Sequence, residues 1–260
     1  MVQTTPRSAS QQAQPETVAL FVSDLHLTAT MPKTVEAFFL FLREQAAHAQ
    51  ALYLLGDIFE YWVGDDDIVD PFNRSVVDAI HAVSKQGVAV YWLAGNRDFL
   101  VGEKFAQACG ATLLAEPHIT TIADQRMVLV HGDAQCTDDV AYMAFRKQVR
   151  NPAVQQAFLT QSLEQRKLML AGMREGSRDA QRGMQANIMD VNPQAIDQLF
   201  VEHHVNLMIH GHTHRPSTHV TSTGVRHVLP DWDCEGTTIR GGWLALDTAG
   251  NFKLIKLSER

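Results

Sequence analysis

The chain has 260 residues, 45% of them hydrophobic, enough for one sizeable core with an elaboration. Its formal net charge of -7 argues against a general nucleic-acid binder, whose affinity rests on neutralising phosphates, but leaves room for a small phosphorylated substrate held by bound cations. The three cysteines, Cys109, Cys136 and Cys234, form no CxxC pair, which argues against a disulfide framework and fits a reducing cytoplasm; no run approaches the roughly 18 apolar residues of a membrane span.

Residues 1–17 are rich in Gln, Thr, Ser and Pro and lack an apolar h-region, so they read as a disordered extension rather than a secretory signal. Residues 18–22 read as a buried strand, and Ser23-Asp24-Leu25-His26 leaves its end. Pro32 opens a helix through Phe38, Phe39, Phe41 and Leu42. Residues 51–55 form a second strand that closes on Gly56-Asp57. Tyr61 and Trp62 follow as core candidates, and the acidic run Asp65 to Asp67 reads as a structural loop. Pro71 starts another helix, with Val76, Val77, Ile80 and Val83 at helical spacing. Residues 88–93 are a third strand ending at Gly95-Asn96-Arg97-Asp98. Residues 127–130 precede His131-Gly132-Asp133, and residues 207–209 precede His210-Gly211-His212-Thr213-His214. Strands at 225–229, 243–247 and 252–257 close the chain, and the alternation predicts a layered α/β architecture.

Residues 137–205 differ in character, with many Gln, Arg, Met and Ala. Phe145, Val149, Val154, Phe158, Leu163, Leu168 and Leu170 give this helical stretch apolar faces. Because it lies between two polar clusters, its ends are pinned together. It is expected to cap the site; the alternative is an ordinary helical layer buried on the core.

Each polar cluster follows a strand-like run, and strand ends are where an α/β fold converges its loops. Asp24 and His26 are two apart and project from one face of an extended chain, as do His212 and His214. Asp57 can bridge two ions through its two oxygens, Asn96 offers a neutral oxygen and His131 an imidazole. These donors could fill two neighbouring coordination spheres and leave positions for water. Two cations about 3.5–4 Å apart lower the pKa of a water and stabilise charge at phosphorus. A nitrogen and oxygen set without thiolate favours Mn, Fe or a similar ion over a structural zinc. His48, His81, His118, His203, His204, His219 and His227 read as surface or packing residues.

The series D-x-H, GD, GNRD, H and GHTH, from Asp24 to His214, resembles the calcineurin-like metallophosphoesterase family. The resemblance implies a four-layer αββα sandwich spanning residues 18–260, with the helical cap between the fourth and fifth motifs. It implies two Mn²⁺ ions, one on Asp24, His26, Asp57 and His214, the other on Asp57, Asn96, His131 and His212; His210 falls outside the set. The strings SDLHL, LLGDIFEYWVGDD, GNRDFL, HGDAQCTDD, AIDQLF and IHGHTHRP are similar to a narrower branch, the enzymes that cleave the pyrophosphate of UDP-2,3-diacylglucosamine in lipid A synthesis. That likeness implies a lipid-linked UDP-sugar substrate and UMP and 2,3-diacylglucosamine 1-phosphate as products. It also implies a monomer attached peripherally to the cytoplasmic face of the bacterial inner membrane. Catalytic roles then fall to Asp57, Asn96, Arg97 and His212. Substrate contacts fall to Asn96, Arg97, Asp139, Ser177 and His212, and to Gln181 and Met184, which stand where the branch has Asn and Lys.

Arg97 carries a chemical consequence. Many phosphoesterases of this class have His there, placed to protonate the leaving group. Arg stays charged and is no useful proton donor near pH 7. A phosphate leaving group, with a second pKa of about 6, needs no proton. Arg97 therefore suits pyrophosphate cleavage by water at the phosphorus next to uridine; the alternative is a structural ion pair with Asp98. A phosphodiesterase or phosphatase for another nucleotide or phosphoester, and a non-catalytic scaffold of the same fold, are the competing functions.

Overall fold

A computed structural model describes residues 16–181 and 190–257, the backbone alone for 173–181. In chain order the strands are β1 (Thr17–Val22), β2 (Ala51–Leu54), β3 (Ala89–Leu93), β4 (Ala111–Leu114), β5 (His118–Ile122), β6 (Gln125–Leu129), β7 (Leu207–His210), β8 (Ser217–Val220), β9 (Val225–Val228), β10 (Gly242–Asp247) and β11 (Phe252–Lys256). The helices are α1 (Pro32–Glu44), α2 (Pro71–Ser84), α3 (Glu103–Cys109), α4 (Val140–Val149), α5 (Pro152–Leu159), α6 (Leu163–Gln181) and α7 (Pro193–His203). Proline opens α1, α2, α5 and α7, where its missing N–H costs nothing. Asp70, Asn151 and Asn192 cap the last three by accepting from first-turn N–H groups.

One sheet has six strands in the order β11-β10-β1-β2-β3-β4, the other five in the order β5-β6-β7-β9-β8. Alternation along each central strand assigns its two faces. Ala19 and Phe21 of β1, Tyr53 of β2 and Leu93 of β3 point between the sheets, where they meet Met127, Leu129 and Ile209 of the second sheet. Leu20, Val22, Leu52, Leu54, Val90 and Trp92 point outward onto Phe38 and Phe41 of α1, Val76 and Ile80 of α2 and Phe105 of α3. On the far side, Val128 and Met208 meet Ile196, Leu199 and Phe200 of α7. The result is the expected four-layer αββα sandwich. Each fully buried large apolar side chain contributes about 1.5–3 kcal/mol.

Register matters here because it aligns the strand ends. Phe21, Tyr53 and Tyr91 lie opposite one another on parallel β1, β2 and β3, with ring centroids 4.9 and 4.6 Å apart. A one-residue slip would turn this aromatic row to the other face, so the row pins the three strands together.

The extension expected at 1–17 lies outside the described residues except Glu16 and Thr17, and Thr17 already belongs to β1. The stretch 137–205 is not uniform. Helices α4 and α5 bury no side chain, whereas α7 packs into the core and is part of the second outer layer. The stretch of about 137–205 thus contains one helix, α7, that packs into the core. Among the described residues no helix is long and apolar enough to cross a membrane.

Candidate metal centre

The five clusters leave the carboxyl ends of β1, β2 and β3 in one sheet and of β6 and β7 in the other, the edge where α/β folds place ligands. Backbone bonds tie the loops together. Asp24 N donates to Gly56 O at 3.1 Å, His26 N to Asp57 O at 2.9 Å and Gly211 N to His131 O at 2.9 Å. The loops approach so closely that a Cβ on Gly95 would collide with the Asp57 carboxylate, and one on Gly211 with that of Asp24. Asp24, His26, Asp57, His212 and His214 all adopt left-handed φ, between 49° and 67°. Non-glycine residues seldom take that conformation, and when they do it marks a site held by its surroundings.

Asp24 is fully buried and accepts from Ser23 Oγ at 2.5 Å and from His212 N at 2.9 and 3.0 Å. His214 Nε2 lies 3.5 Å from its Oδ1. Burial raises the Asp24 pKa, but the His214 contact and the positive potential of His131 outweigh it and hold the carboxyl well below the usual range. Asp57 presents one oxygen to each side: Oδ2 lies 3.9 Å from His26 Nε2, and Oδ1 lies 3.6 Å from His131 Nε2. Burial works against its charge, His131 outweighs burial, and its pKa falls to about 2. The compact donor groups are Asp24, His26 and His214 on one side and Asp24, Asp57 and His131 on the other. Asp24 is common to both groups, yet Asp57 is the better bridge. Its two oxygens face different imidazoles, while both Asp24 oxygens are engaged by the His212 N–H.

Whether this set fits cations can be read from its donors. His131 Nδ1 donates to Leu55 O at 2.9 Å, so a neutral ring turns a lone pair on Nε2 toward Asn96 Oδ1, 3.0 Å away, and Asp57 Oδ1. Acceptors facing acceptors need a positive charge between them. Without a cation the charge is a proton: burial lowers the His131 pKa, but Asp57, then Asp24 and Asp133, raise it well above the ordinary value. On the other side, His26 Nε2 and His214 Nε2 lie 3.2 Å apart. Two nitrogens each about 2.1 Å from one ion, at roughly a right angle, would be separated by about that much. The residues fit a pair of divalent cations.

The remaining predicted residues fall as follows. Asn96 joins the set through His131. His212 stacks edge-on against His131, with centroids 5.1 Å apart, and burial, then His131, lowers its pKa to about 4, so it is neutral near pH 7. Its ring nitrogens stand outside the two compact donor groups. Arg97 donates its backbone N–H to Asp57 Oδ1 at 2.8 Å. Its guanidinium has no carboxylate partner among the described residues, and Nε is buried without a hydrogen bond. The alternative pairing with Asp98 is not formed. Asp98 is fully buried and accepts from Gly95 N at 2.7 Å and Ile58 N at 2.9 Å. Burial, then Asp57, raises its pKa to about 6. Asp139 caps α4 by accepting from Tyr142 N at 2.9 Å. Ser177 and Gln181 fall on the backbone of α6; their side chains, like Met184, lie outside the described residues.

Sequence reasoning missed the residues that join α4 and α6 to the site. Buried Asp133 accepts from Tyr142 Oη at 2.6 Å and Arg146 Nε at 2.8 Å. Arg146 also reaches Glu116 Oε2 at 2.9 Å, and Glu116 Oε1 accepts from His131 N at 2.7 Å. Arg150 donates to Gly95 O at 2.9 Å. On α6, buried Arg166 bonds Val63 O and Asp66, and Lys167 lies 2.7 Å from Asp67. Asp65 accepts from Trp62 Nε1 and from Gly102 and Phe105 N–H groups, so the acidic run is structural, as expected. Asp133 and Glu60 sit inside quoted motif strings and could have been flagged there; Glu116 and Arg146 meet only through the fold.

Paired donor groups on the strand ends of an αββα sandwich define a phosphoesterase. The chain belongs to the calcineurin-like phosphoesterase family, which it matches over residues 18–216. It is 45% identical over 225 residues to the UDP-2,3-diacylglucosamine hydrolase of Serratia proteamaculans (strain 568), covering 85% of this chain and 93% of that protein. The UDP-2,3-diacylglucosamine hydrolase of Aromatoleum aromaticum is 45% identical over 226 residues, 85% of this chain and 92% of the relative. A solved archaeal phosphodiesterase aligns with a TM-score of 0.46 at 13% identity, covering 92% of this chain and 99% of the other.

Proposed function

We propose that this chain is a metal-dependent hydrolase that cleaves the pyrophosphate bond of UDP-2,3-diacylglucosamine, releasing UMP and 2,3-diacylglucosamine 1-phosphate. The observation that carries the reading is the likeness to UDP-2,3-diacylglucosamine hydrolases along almost the whole of both chains. When bound, two divalent cations, here assigned as Mn²⁺, supply an activated water and neutralise charge on the attacked phosphoryl group. Asp24, His26, Asp57 and His214 would hold one, and Asp57, Asn96, His131 and His212 the other. Asp57 would serve both and, by accepting the Arg97 N–H, fixes the turn that carries Asn96 and Arg97. The free Arg97 guanidinium binds the departing phosphate, which leaves as an anion and needs no proton. Neutral His212 lines the substrate side of the same pocket.

The insertion supplies the rest of the recognition. Asp139, Ser177, Gln181 and Met184 contact the substrate. Val140, Phe145, Leu168 and Met169, exposed on α4 and α6, suit the acyl chains and the surface of a bilayer. The chain then works as a monomer at the cytoplasmic face of the inner membrane. Hydrolysis of UDP-2,3-diacylglucosamine in ¹⁸O-labelled water tests the reading. Label in UMP is expected; label in the lipid phosphate, or turnover of a simple phosphomonoester with none of the lipid substrate, overturns it.

A further inference from the structure

The imidazoles of the two donor groups lean on different supports. His131 is backed by a neutral backbone carbonyl, Leu55 O, at 2.9 Å. His26 instead turns Nδ1 to Glu60 Oε2 at 3.1 Å, and His214 turns Nδ1 toward Asp231 Oδ2 at 3.8 Å. The Glu60 side chain is 12% exposed, and its backbone N–H donates to Leu27 O at 3.3 Å, beside the loop that carries Asp24 and His26. Asp231 already receives Arg240 Nε at 3.0 Å, which offsets much of its charge.

The Leu55 carbonyl holds the proton on Nδ1 through a hydrogen bond, whereas Glu60 acts on His26 Nδ1 as a charge 3.1 Å away without an aligned hydrogen bond; in both cases a proton on Nδ1 leaves Nε2 as the donor atom. Only a carboxylate also makes the ring more basic, and a more basic ring binds a cation more tightly. The carbonyl behind His131 orients without adding charge. In the ligand sets proposed above, Asp24 serves the ion beside His26, where it lies 3.5 Å from His214, while Asp57 would serve both ions.

We propose that Glu60 is a positioning residue for the cation held by Asp24, His26, Asp57 and His214, and that it makes this position the tighter of the two. The inference rests on the metal reading above. Asp231 serves His214 in the same sense but more weakly, because it is farther away and paired with Arg240.

The test is titration of the chelator-stripped full-length chain with Mn²⁺ alone, followed by the electron paramagnetic resonance signal of free Mn²⁺. The wild type should take up two ions with unequal affinity. Glu60→Ala should weaken the tighter site by roughly 10–100-fold and leave the other unchanged. Glu60→Gln keeps the size and an oxygen beside Nδ1 but lacks the charge, so it should fall between; Asp231→Asn should shift binding less than Glu60→Ala. Unchanged binding in Glu60→Ala, or equal weakening of both sites, overturns the proposal. No Mn²⁺ uptake by the wild type overturns the metal reading beneath it. A second measurement stands even if the alanine variant does not fold. Nitrogen NMR of the stripped wild type at alkaline pH should show His26 protonated on Nδ1, and protonation on Nε2 overturns the proposal.

Discussion

The strand-end loops and the helices α4 to α6 lie side by side, yet each is held by opposite means. The loops are buried, laced together by backbone hydrogen bonds and seated on two sheets whose central strands are almost wholly enclosed. The helices bury almost no apolar side chain and are attached through cations: Arg146 and Arg150 at one end, Arg166 and Lys167 at the other. Apolar burial is insensitive to direction, while charged latches demand particular partners. The loops therefore bring the donor residues together through burial and backbone bonds, while α4 to α6 depend on a few charged partners.

The strongest way to break this division is at Asp57. Asp57→Ala should cut activity by about a thousandfold or more, since both proposed ligand sets lose an oxygen, and bound Mn²⁺ should fall below two per chain in metal analysis. Next comes Arg97→Ala, expected to cost about 10²–10³ in kcat while metal content and melting temperature stay near wild type, because the guanidinium holds nothing else in place. Loss of metal in that variant would point back to a structural role. Arg146 joins the two regions, and Arg146→Met strands the fully buried Asp133 carboxylate. Breaking a buried pair costs about 3–5 kcal/mol; with Arg146 partly exposed, a loss of about 2–3 kcal/mol in urea unfolding is expected.

The smallest effect is on the α6 side. The Arg166 hydrogen bond lowers the Asp66 pKa, against a minor opposing effect of burial. A depressed carboxylate pKa contributes stability that is present above about pH 4 and is lost as pH falls through the folded value. Asp66→Asn should remove that part of the acid-side stability loss and lower the neutral melting temperature slightly, since the contribution present above about pH 4 is gone. A wild-type acid profile retained in the variant would remove Asp66 from the latch.

Much of this was legible in the chain because the relevant signals are local. The apolar runs of β1 to β3 and the polar cluster after each strand gave the layered α/β reading and the donor candidates, and the family resemblance those clusters carry implied the four-layer sandwich. What escaped was non-local or weakly patterned. Strand β8, Ser217–Val220, is a mostly exposed edge without apolar alternation, and β4 is short and half-buried. Helix α7 resembles its neighbours in composition, and only packing shows that Ile196, Leu199 and Phe200 belong to the core. Arg146 was missed because it meets the site only through the fold, whereas Glu60 stands three residues after Asp57 in the same motif string and was passed over because a ligand motif names only the ligands.

The left-handed backbone at five of the donor positions bears on how such a protein tolerates change. Each such residue costs about 1 kcal/mol or more against a fold that retains only about 5–15 kcal/mol in all. Durability has been given up at the proposed donor positions. Glycine at one of these positions abolishes a donor but also relieves the backbone, so an inactive chain need not be a fragile one. Screens that select for heat resistance alone would drift toward such chains, and selection in this family has to watch turnover and melting together.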